Sequence, residues 1–507
     1  MTKITADIAT LGSGFSGSLT ALSLSRLGFE VVLIDRAAHP RFAIGESSTP
    51  MADMILRDLA DAYDLPRLRP LSAYGPWQET YPHLVAGRKR GFSYFHHQPG
   101  QAFQPDPQHI NELLVAASST DYQSDTHWLR ADVDAFLADE VRRAGLSFFE
   151  NTTVTALHED RGWRLTARRG DEPLEIHAAF LIDATGAAGV VPHALGLADQ
   201  PAPFRTHSRS LFAHFDGVAR WHDVMTSRGA HVADHPYYCD DAALHHLVDG
   251  AWMWVLRFNN DTVSAGLTLD ERRHPFDTSI AAEDEWERWI HRYPSILEQF
   301  ATARLVDPPG ALLRTGRLQR RTTRAVGRSW ALLPYTAGFI DPLHSTGIAH
   351  SLYGVERLAA ILKQHWDCPT LEACLHRYEQ ALFGELAFID KLVAACYASF
   401  SDFRLFTASA MLYFAAVITF ERQRAGRADT PSPFDSLFLC ADDAMLCRIV
   451  DEALARLSAM NDPPLPAQIN AFESFVEEAT RPYNTAGLFH PAIPNMYHHT
   501  AAPVPAS

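Results

Sequence analysis

Residues 4–35 read ITADIATLGSGFSGSLTALSLSRLGFEVVLID, and this stretch decides the fold. Ile4–Leu11 reads as a strand, Ser16–Leu27 has helical spacing, and Glu30–Ile34 is a second strand. Gly28 stands where a helix C-cap is expected. Between strand and helix runs Gly12-Ser13-Gly14-Phe15-Ser16-Gly17. In such a turn Gly12 permits the tight reversal, Gly14 lets a pyrophosphate approach the backbone, and Gly17 lets helix and strand pack closely. The helix N-terminus, at Phe15 and Ser16, offers free N–H groups and the positive end of a dipole. Asp35 ends the second strand where a carboxylate accepts from a ribose hydroxyl, and Arg36 follows it. Strand, glycine turn, helix and acid in this order specify a Rossmann-like dinucleotide-binding unit. They do not choose between dinucleotides.

The rest of the chain bounds what that unit serves. The 507 residues are 47% hydrophobic and 21% charged, the balance of a packed globular protein large enough to enclose a deep site. A net charge of −16 argues against nucleic acid as a partner. Cys239, Cys368, Cys374, Cys396, Cys440 and Cys447 form neither a CxxC pair nor a zinc spacing, so they read as reduced thiols of a cytoplasmic protein, with no metal expected. No signal peptide is visible, because the chain runs directly into a strand and a glycine turn. The most apolar stretch, Leu405–Phe420, is shorter than a membrane span and reads as a buried helix.

Outward from the opening unit, residues 51–80 look helical and then loop-like, and Gly91–His97 is a short aromatic strand. Leu129–Gly145 is an amphipathic helix; Phe148–Leu157, Trp163–Ala167 and Phe180–Ile182 are strands. Trp252–Phe258 and Val263–Leu267 read as a hairpin, and from about Leu352 the pattern is helical. The expected fold is α/β, with α+β lobes. A discontinuous nucleotide-binding domain takes residues 1–80, 120–200 and 325–365. A mostly antiparallel β-sheet substrate domain takes 81–119 and 201–324. A helical region, 366–490, and a loose tail, 491–507, complete it.

Three further features narrow the dinucleotide. Asp183-Ala184-Thr185-Gly186 follows an apolar strand and resembles the second nucleotide-contacting turn of FAD-dependent oxidoreductases of the glutathione-reductase type. Arg130, with Asp134 at helical spacing, is similar to the arginine those families place near the pyrophosphate. Gly338-Phe339-Ile340-Asp341-Pro342-Leu343 resembles the late flavin motif, whose aspartate meets the ribityl or pyrophosphate end. Together they imply FAD.

Gly45-Glu46-Ser47-Ser48-Thr49-Pro50, set beside Gly338–Gly347, resembles the flavin-dependent halogenase family. That family carries a GExxxP loop, a reactive lysine, a WxWxxP strand and a DPxxSTG turn, and all four have counterparts here in order, within roughly residues 1–360. Glu46, Ser47 and Ser48 then join the cofactor contacts, with Gly347 and Ile348. The lysine counterpart is Lys89, in the basic run Arg88–Arg90. The resemblance implies that reduced FAD (FADH2), supplied by a separate reductase, reacts with oxygen to a hydroperoxide. Halide, chloride or bromide, is converted to hypohalous acid, which reaches Lys89 through a tunnel. The amine, as a cation polarising the acid or as a haloamine, aims the halogen at a small electron-rich ring, free or carrier-bound. Placement supplies much of such catalysis, since free hypohalous acid is unselective. Ser345-Thr346-Gly347 is similar to the turn that holds halide. Trp252 and Trp254, with Pro342 and His344, are the expected tunnel and substrate residues.

Two departures matter. Arg257 stands where the WxWxxP motif has proline, which favours the alternative of an FAD monooxygenase (hydroxylase) or a geranylgeranyl-reductase-like enzyme. His344 replaces the glutamate of tryptophan halogenases, which points to a phenol- or pyrrole-type substrate. His344 is a base or a packed ring; His96 and His97 read as surface histidines, with general base as the other reading. The aromatic C-terminal helices (Tyr397, Phe400, Phe403, Phe406, Tyr413, Phe414, Phe420) read as core, with the lining of an apolar substrate cavity as the other reading.

Overall fold

The computed structural model describes residues 2–197, 203–426, 434, 436–490 and 494–498. Its first layer is an eight-stranded sheet built on Thr2–Leu11, which pairs in parallel with Val31–Ile34 on one side and Glu172–Asp183 on the other. Ser147–Phe149 extends one edge in parallel, and Trp330–Leu332 the other. The strand read at Phe180–Ile182 is the apolar end of a twelve-residue strand, Glu172–Asp183. Its first half pairs antiparallel with Trp163–Arg169 and mixes exposed with buried residues, so no continuous apolar run marked it. Gly12 has φ +93°, and a Cβ there would stand 2.7 Å from the Ala184 carbonyl. At Gly17 a Cβ would lie 1.9 Å from the Gly12 carbonyl, so only glycine lets helix Phe15–Arg26 sit this close to its strand.

The second layer is a nine-stranded, mostly antiparallel sheet. Trp252 pairs with Thr268 and Trp254 with Gly266, as the hairpin reading expects. Alternation sends successive residues to opposite faces. Trp252, Trp254 and Leu256 join Phe92, Tyr94 and Val115 in the larger core, shared with the first sheet and the C-terminal helices. Met253 and Val255 join Phe95, Leu114 and Leu267 in a separate core with Trp221, Trp289 and Ile296. A two-stranded ribbon, Ala86–Lys89 with Asp125–Trp128, stands apart from both sheets.

Among the described residues five helices follow: Thr346–His365, Leu371–Ala398, Phe403–Ala425, Ala444–Ser458 and Pro466–Thr480. Phe403–Ala425 is longer than its apolar centre suggested; its 23 residues are long and apolar enough to cross a membrane. Here 83% of its most apolar window is buried within the protein, and it is apolar all round because it is packed all round. Between two of these helices Glu385 binds Arg357 Nη1 at 2.6 Å, His350 Nε2 at 3.0 Å and the Phe438 amide at 2.8 Å. Arg357 lies over the Tyr353 ring and donates to the Ser436 carbonyl. Of the tail expected from residue 491, Met496–Tyr497 is buried and adds in parallel to Glu112–Ala116. Apart from 494–498, that tail lies outside the described residues.

Candidate functional site

Two helix N-termini and three loops meet at the candidate site. Helix Phe15–Arg26 begins at Gly14, where the nearest atoms to an added Cβ are Arg130 Nη2 and Asp134 Oδ2, both at 3.6 Å. Asp134 holds Arg130 through two hydrogen bonds, at 3.0 and 2.7 Å, and also accepts from the Phe15 amide. The remaining Arg130 nitrogen donates to the Ile44 and Gly45 carbonyls. Arg130 is thus fixed over the glycine turn, with its charge beside the helix N-terminus. Helix Thr346–His365 packs against Phe15–Arg26, and an added Cβ at Gly347, in its first turn, would meet nothing within 4 Å. A shallow, half-open cleft lies there, lined by Tyr335, Gly338, Phe339, Asp341, Thr346 and Gly347 among others. Two helix N-termini, an arginine and a cleft fit a dinucleotide with its pyrophosphate at the first helix and its ring end toward the second.

Several expected contacts have other duties. Asp35 accepts from Arg41 at 2.5 and 2.7 Å, from the amide and hydroxyl of Ser13, and from the Ala37 amide. Burial works against its charge, but Arg41 and these hydrogen bonds outweigh it and hold the carboxyl down at about 2. It is ionised and already partnered, and Arg41, not Arg36, is its cation; Arg36 is exposed. Asp183 accepts from Thr185 N and Oγ1 and from the Val191 amide, so it shapes the turn. Gly186 sits at φ +62° and donates to Thr336. Asp341 accepts from Ser208, Tyr397 and the Leu343 amide, and burial raises its carboxyl to about 6.

Residues 46–50 cross from the first sheet to the ribbon. Glu46 meets His214 at 2.9 Å and its carbonyl accepts from the Trp128 amide. Ser47 bridges to His127, Ser48 donates its amide to Thr126, and Thr49 caps helix Pro50–Ala62 by accepting from the Ala52 amide. Ser345 Oγ donates to Ser47 Oγ at 3.1 Å, which joins the late turn to the early loop. Ser345 is left-handed, φ 52°, a conformation a serine adopts only when its surroundings impose it. Pro342 begins this turn and accepts from the Ser345 amide; Ile348 is buried one step beyond Gly347.

Lys89 is wholly buried at the end of its ribbon strand. Its Nζ donates to the Ser48 carbonyl and lies 4.2 Å over the Phe92 ring. Directly across the ribbon is Asp125, and Asp53 enters from the first turn of Pro50–Ala62, held by the Ser48 hydroxyl at 3.1 Å. Burial depresses the ammonium to about 8, while Asp125, Asp53 and Glu421 work to raise it. Burial raises Asp125 to about 7, with Lys89 and a hydrogen bond to Asp53 working against the rise; burial also raises Asp53, and the Asp125 charge adds to it. Asp125 Oδ2 has no hydrogen-bond partner. His127 and His245 are each pushed down to about 3, first by burial and then by Lys89, so both rings are neutral.

Trp252 and Trp254 lie with ring centres 5.9 Å apart on one face; Trp252 donates to Tyr397, which donates to Asp341. Trp254 donates to Ser264 and packs over Gly266, where a Cβ would collide. Arg257 points to the other face. It pairs with Asp240 at 2.9 Å and donates to the Val218 and Ala219 carbonyls. Its exchange for the motif proline therefore does not alter the tryptophan face. His344 stacks on Tyr413 at 4.1 Å, its carbonyl accepts from the Tyr413 hydroxyl, and burial holds its ring at about 3. Its Nδ1 is buried without a partner. The ring is packed and neutral, with one nitrogen left over. His96 stacks on Phe403, and His97 is buried against His246 at 2.9 Å, on the face away from the tryptophans; neither is a surface histidine.

The sequence reading missed Asp53, Asp125 and Arg41; in sequence Tyr397 reads as a core aromatic, with a substrate cavity as the other reading. Asp125–Trp128 has no apolar alternation to announce a strand, so nothing placed Asp125 opposite Lys89. Arg41 follows Asp35 closely and was readable as its cation.

A family model for FAD dependent oxidoreductases, DAO, matches residues 7–301. It is broader than, and not specifically, the glutathione-reductase type suggested by Asp183–Gly186. Monodechloroaminopyrrolnitrin halogenase PrnC of Pseudomonas fluorescens is 32% identical over 487 residues, covering 91% of this chain and 82% of that protein. Tetracycline 7-halogenase of Kitasatospora aureofaciens is 29% identical over 424 residues, covering 81% of this chain and 73% of that protein. The crystal structure of halogenase PltM in complex with phloroglucinol and FAD superimposes with a TM-score of 0.85 at 23% identity, over 98% of this chain and 100% of that one.

Proposed function

Because the chain belongs to the flavin-dependent halogenases, within the FAD dependent oxidoreductases, and halogenates a small aromatic substrate with FAD, we propose that Lys89 delivers the halogen to a phenolic or pyrrolic ring. The observation that carries the proposal is the buried amine of Lys89, held near a pKa of about 8 beside two carboxyls. Reduced FAD from a separate reductase, with oxygen, supplies the oxidising equivalent that turns chloride or bromide into hypohalous acid. Gly12, Gly14 and Gly17 with Arg130 bind the pyrophosphate, and the Thr346 and Gly347 amides, after Ser345, hold halide at a helix N-terminus.

The residues around Lys89 manage its proton. Two carboxyls this close do not both ionise in a buried site. Asp53 and Asp125 share one proton, and their single negative charge balances the ammonium. As the ammonium, Lys89 donates a hydrogen bond to hypohalous acid and polarises it. As the amine it attacks the halogen, forming an N–halogen bond and releasing water, with the ammonium proton passed to Asp125 beforehand. Halogen transfer to the ring takes the proton back from Asp125 onto the nitrogen, which returns the amine, and the ring proton leaves to solvent. The Trp252 and Trp254 face separates ring from flavin. A phenolic or pyrrolic ring is nucleophilic enough to need no acid at position 344, in keeping with the phloroglucinol bound by PltM. The substrate is free or carrier-bound, and the thiols fit a cytoplasmic enzyme.

Arg257, turned away from the tryptophans, gives the hydroxylase reading no support. The test is product mass: supply reduced FAD, oxygen and chloride or bromide with a panel of phenols, pyrroles and indoles. Halogen isotope doublets on a phenol or pyrrole are expected. A gain of one oxygen, independent of halide, overturns the reading.

A further inference from the structure

A second cluster of buried ligating side chains lies away from the flavin site. Glu112, His109 and His235 place one ligand atom each within 4.8 Å of one another. Glu112 opens strand Glu112–Ala116, His109 stands three residues before it, and His235 comes from the loop between Trp221–Ser227 and Ala243–Val248. No sequence motif links residues so far apart.

The hydrogen bonds within the cluster leave it unfinished. His109 Nδ1 faces Glu112 Oε1 at 2.7 Å, and its Nε2 faces Asp234 Oδ2 at 2.8 Å. Glu112 Oε2 and both His235 nitrogens are buried without any hydrogen-bond partner. The side chains of His235 and Glu112 are only 4% and 5% exposed, and their nearest nitrogen and oxygen stand 3.6 Å apart. Glu112 Oε2 and His235 Nε2 face each other only at a distance beyond a hydrogen bond, and His235 Nδ1 has no hydrogen-bond partner, so these buried polar groups are under-bonded as they stand.

We propose that His109, Glu112 and His235 bind a divalent transition-metal ion, of which zinc best suits two imidazoles and one carboxylate. The ion satisfies Glu112 and one nitrogen of His235. His109 then ligates through Nδ1 while its Nε2–H donates to Asp234, the usual carboxylate support of a metal-bound histidine. Water fills the fourth position. Imidazole ligands argue against calcium or magnesium.

The ion ties two loops to the sheet. His109 also accepts from Asn495 through its carbonyl, and Asn495 accepts from the Leu114 amide. Beyond His235, Tyr237 donates to the Phe92 carbonyl, Cys239 accepts from Ser93, and the Asp241 carbonyl accepts from the Arg90 amide. The metal-bound loop therefore braces the strand that follows Lys89, Gly91–His96, and the ion is structural.

The test uses the full chain without a histidine tag. Metal analysis of the protein dialysed against zinc is expected to give one zinc per chain, lost in His235→Ala and in Glu112→Gln. His235 lies on a loop, so its variant keeps the fold. Removing zinc with a chelator is expected to lower Tm by several degrees, restored by zinc, and cobalt in its place to show the visible bands of a four-coordinate site. Zinc well below one per chain after dialysis, or the same zinc content in His235→Ala, overturns the proposal.

Discussion

Two buried ionic clusters, Lys89 with Asp53 and Asp125, and Glu385 with Arg357 and His350, have similar ingredients and opposite finish. Around Glu385 both carboxylate oxygens are engaged, by a guanidinium, a backbone amide and an imidazole. Burial works against its charge, but Arg357 and His350 outweigh it, and its pKa falls. Around Lys89 there are two acids for one base, one carboxylate oxygen lacks a partner, and burial wins for all three groups. Burial alone thus does not mark a working charge. What marks it is a buried group whose ionised form its neighbours have left incompletely supported.

The sharpest way to break the contrast is to remove the amine. Lys89→Ala is expected to lower halogenation at least about a hundredfold, the scale of a lost proton-transfer group. Oxygen consumption by reduced flavin should continue, and halogenated product at the wild-type rate would sink the assignment. The same position should be better without its charge for stability. A lysine depressed to about 8 destabilises the fold below that pH, and the cost disappears as pH rises toward its ordinary value of 10.5. Lys89→Met is therefore expected to raise Tm at pH 7 and to lose that advantage above pH 10, checked by thermal melts across pH.

Glu385→Ala should do the reverse of Lys89→Met. It strands Arg357 in the core and is expected to cost about 3–5 kcal/mol in denaturant titration. A loss under about 1 kcal/mol, the scale of an exposed pair, would show that the cluster is no more structural than the lysine site.

Asp125→Asn sharpens the comparison by degree. It removes the anion that most raises the ammonium, so the Lys89 limb of the pH–rate profile should move to lower pH by about one unit. The shift has this sign whether the ammonium or the amine is the working form, and an unmoved limb would remove Asp125 from the mechanism. The smallest effect is expected at Arg257. Arg257→Met breaks its pair with Asp240 and should lower Tm, while mass spectrometry should find no shift from halogenated to oxygenated product.

The fold was legible where local pattern and tertiary role coincide. Gly12–Gly17 has one conformation open to it, and the tryptophan hairpin alternates because one face meets the flavin lobe. The lysine was legible as a residue but its setting was not. Asp53 reads as an acid in the first turn of a helix, an ordinary surface position, and it is buried beside Lys89 because the preceding Ser47 and Ser48 pair with the ribbon. Asp35 misleads for a related reason: its place in the motif is correct, yet Arg41 folds back onto it. Arg257 was a real departure from the motif, but alternation sends its side chain to the other face, where it serves the loop at Asp240.

Strand Met496–Tyr497 has a practical side. It is the outermost strand beside Glu112–Ala116, and the residue before it reaches both Leu114 and His109. Removing it would bare a row of unpaired backbone groups of the kind that seeds chain-to-chain pairing. Expression designs that trim the C-terminus for crystallisation should therefore stop short of Asn495, and a fusion partner is better carried at the opposite end of the chain.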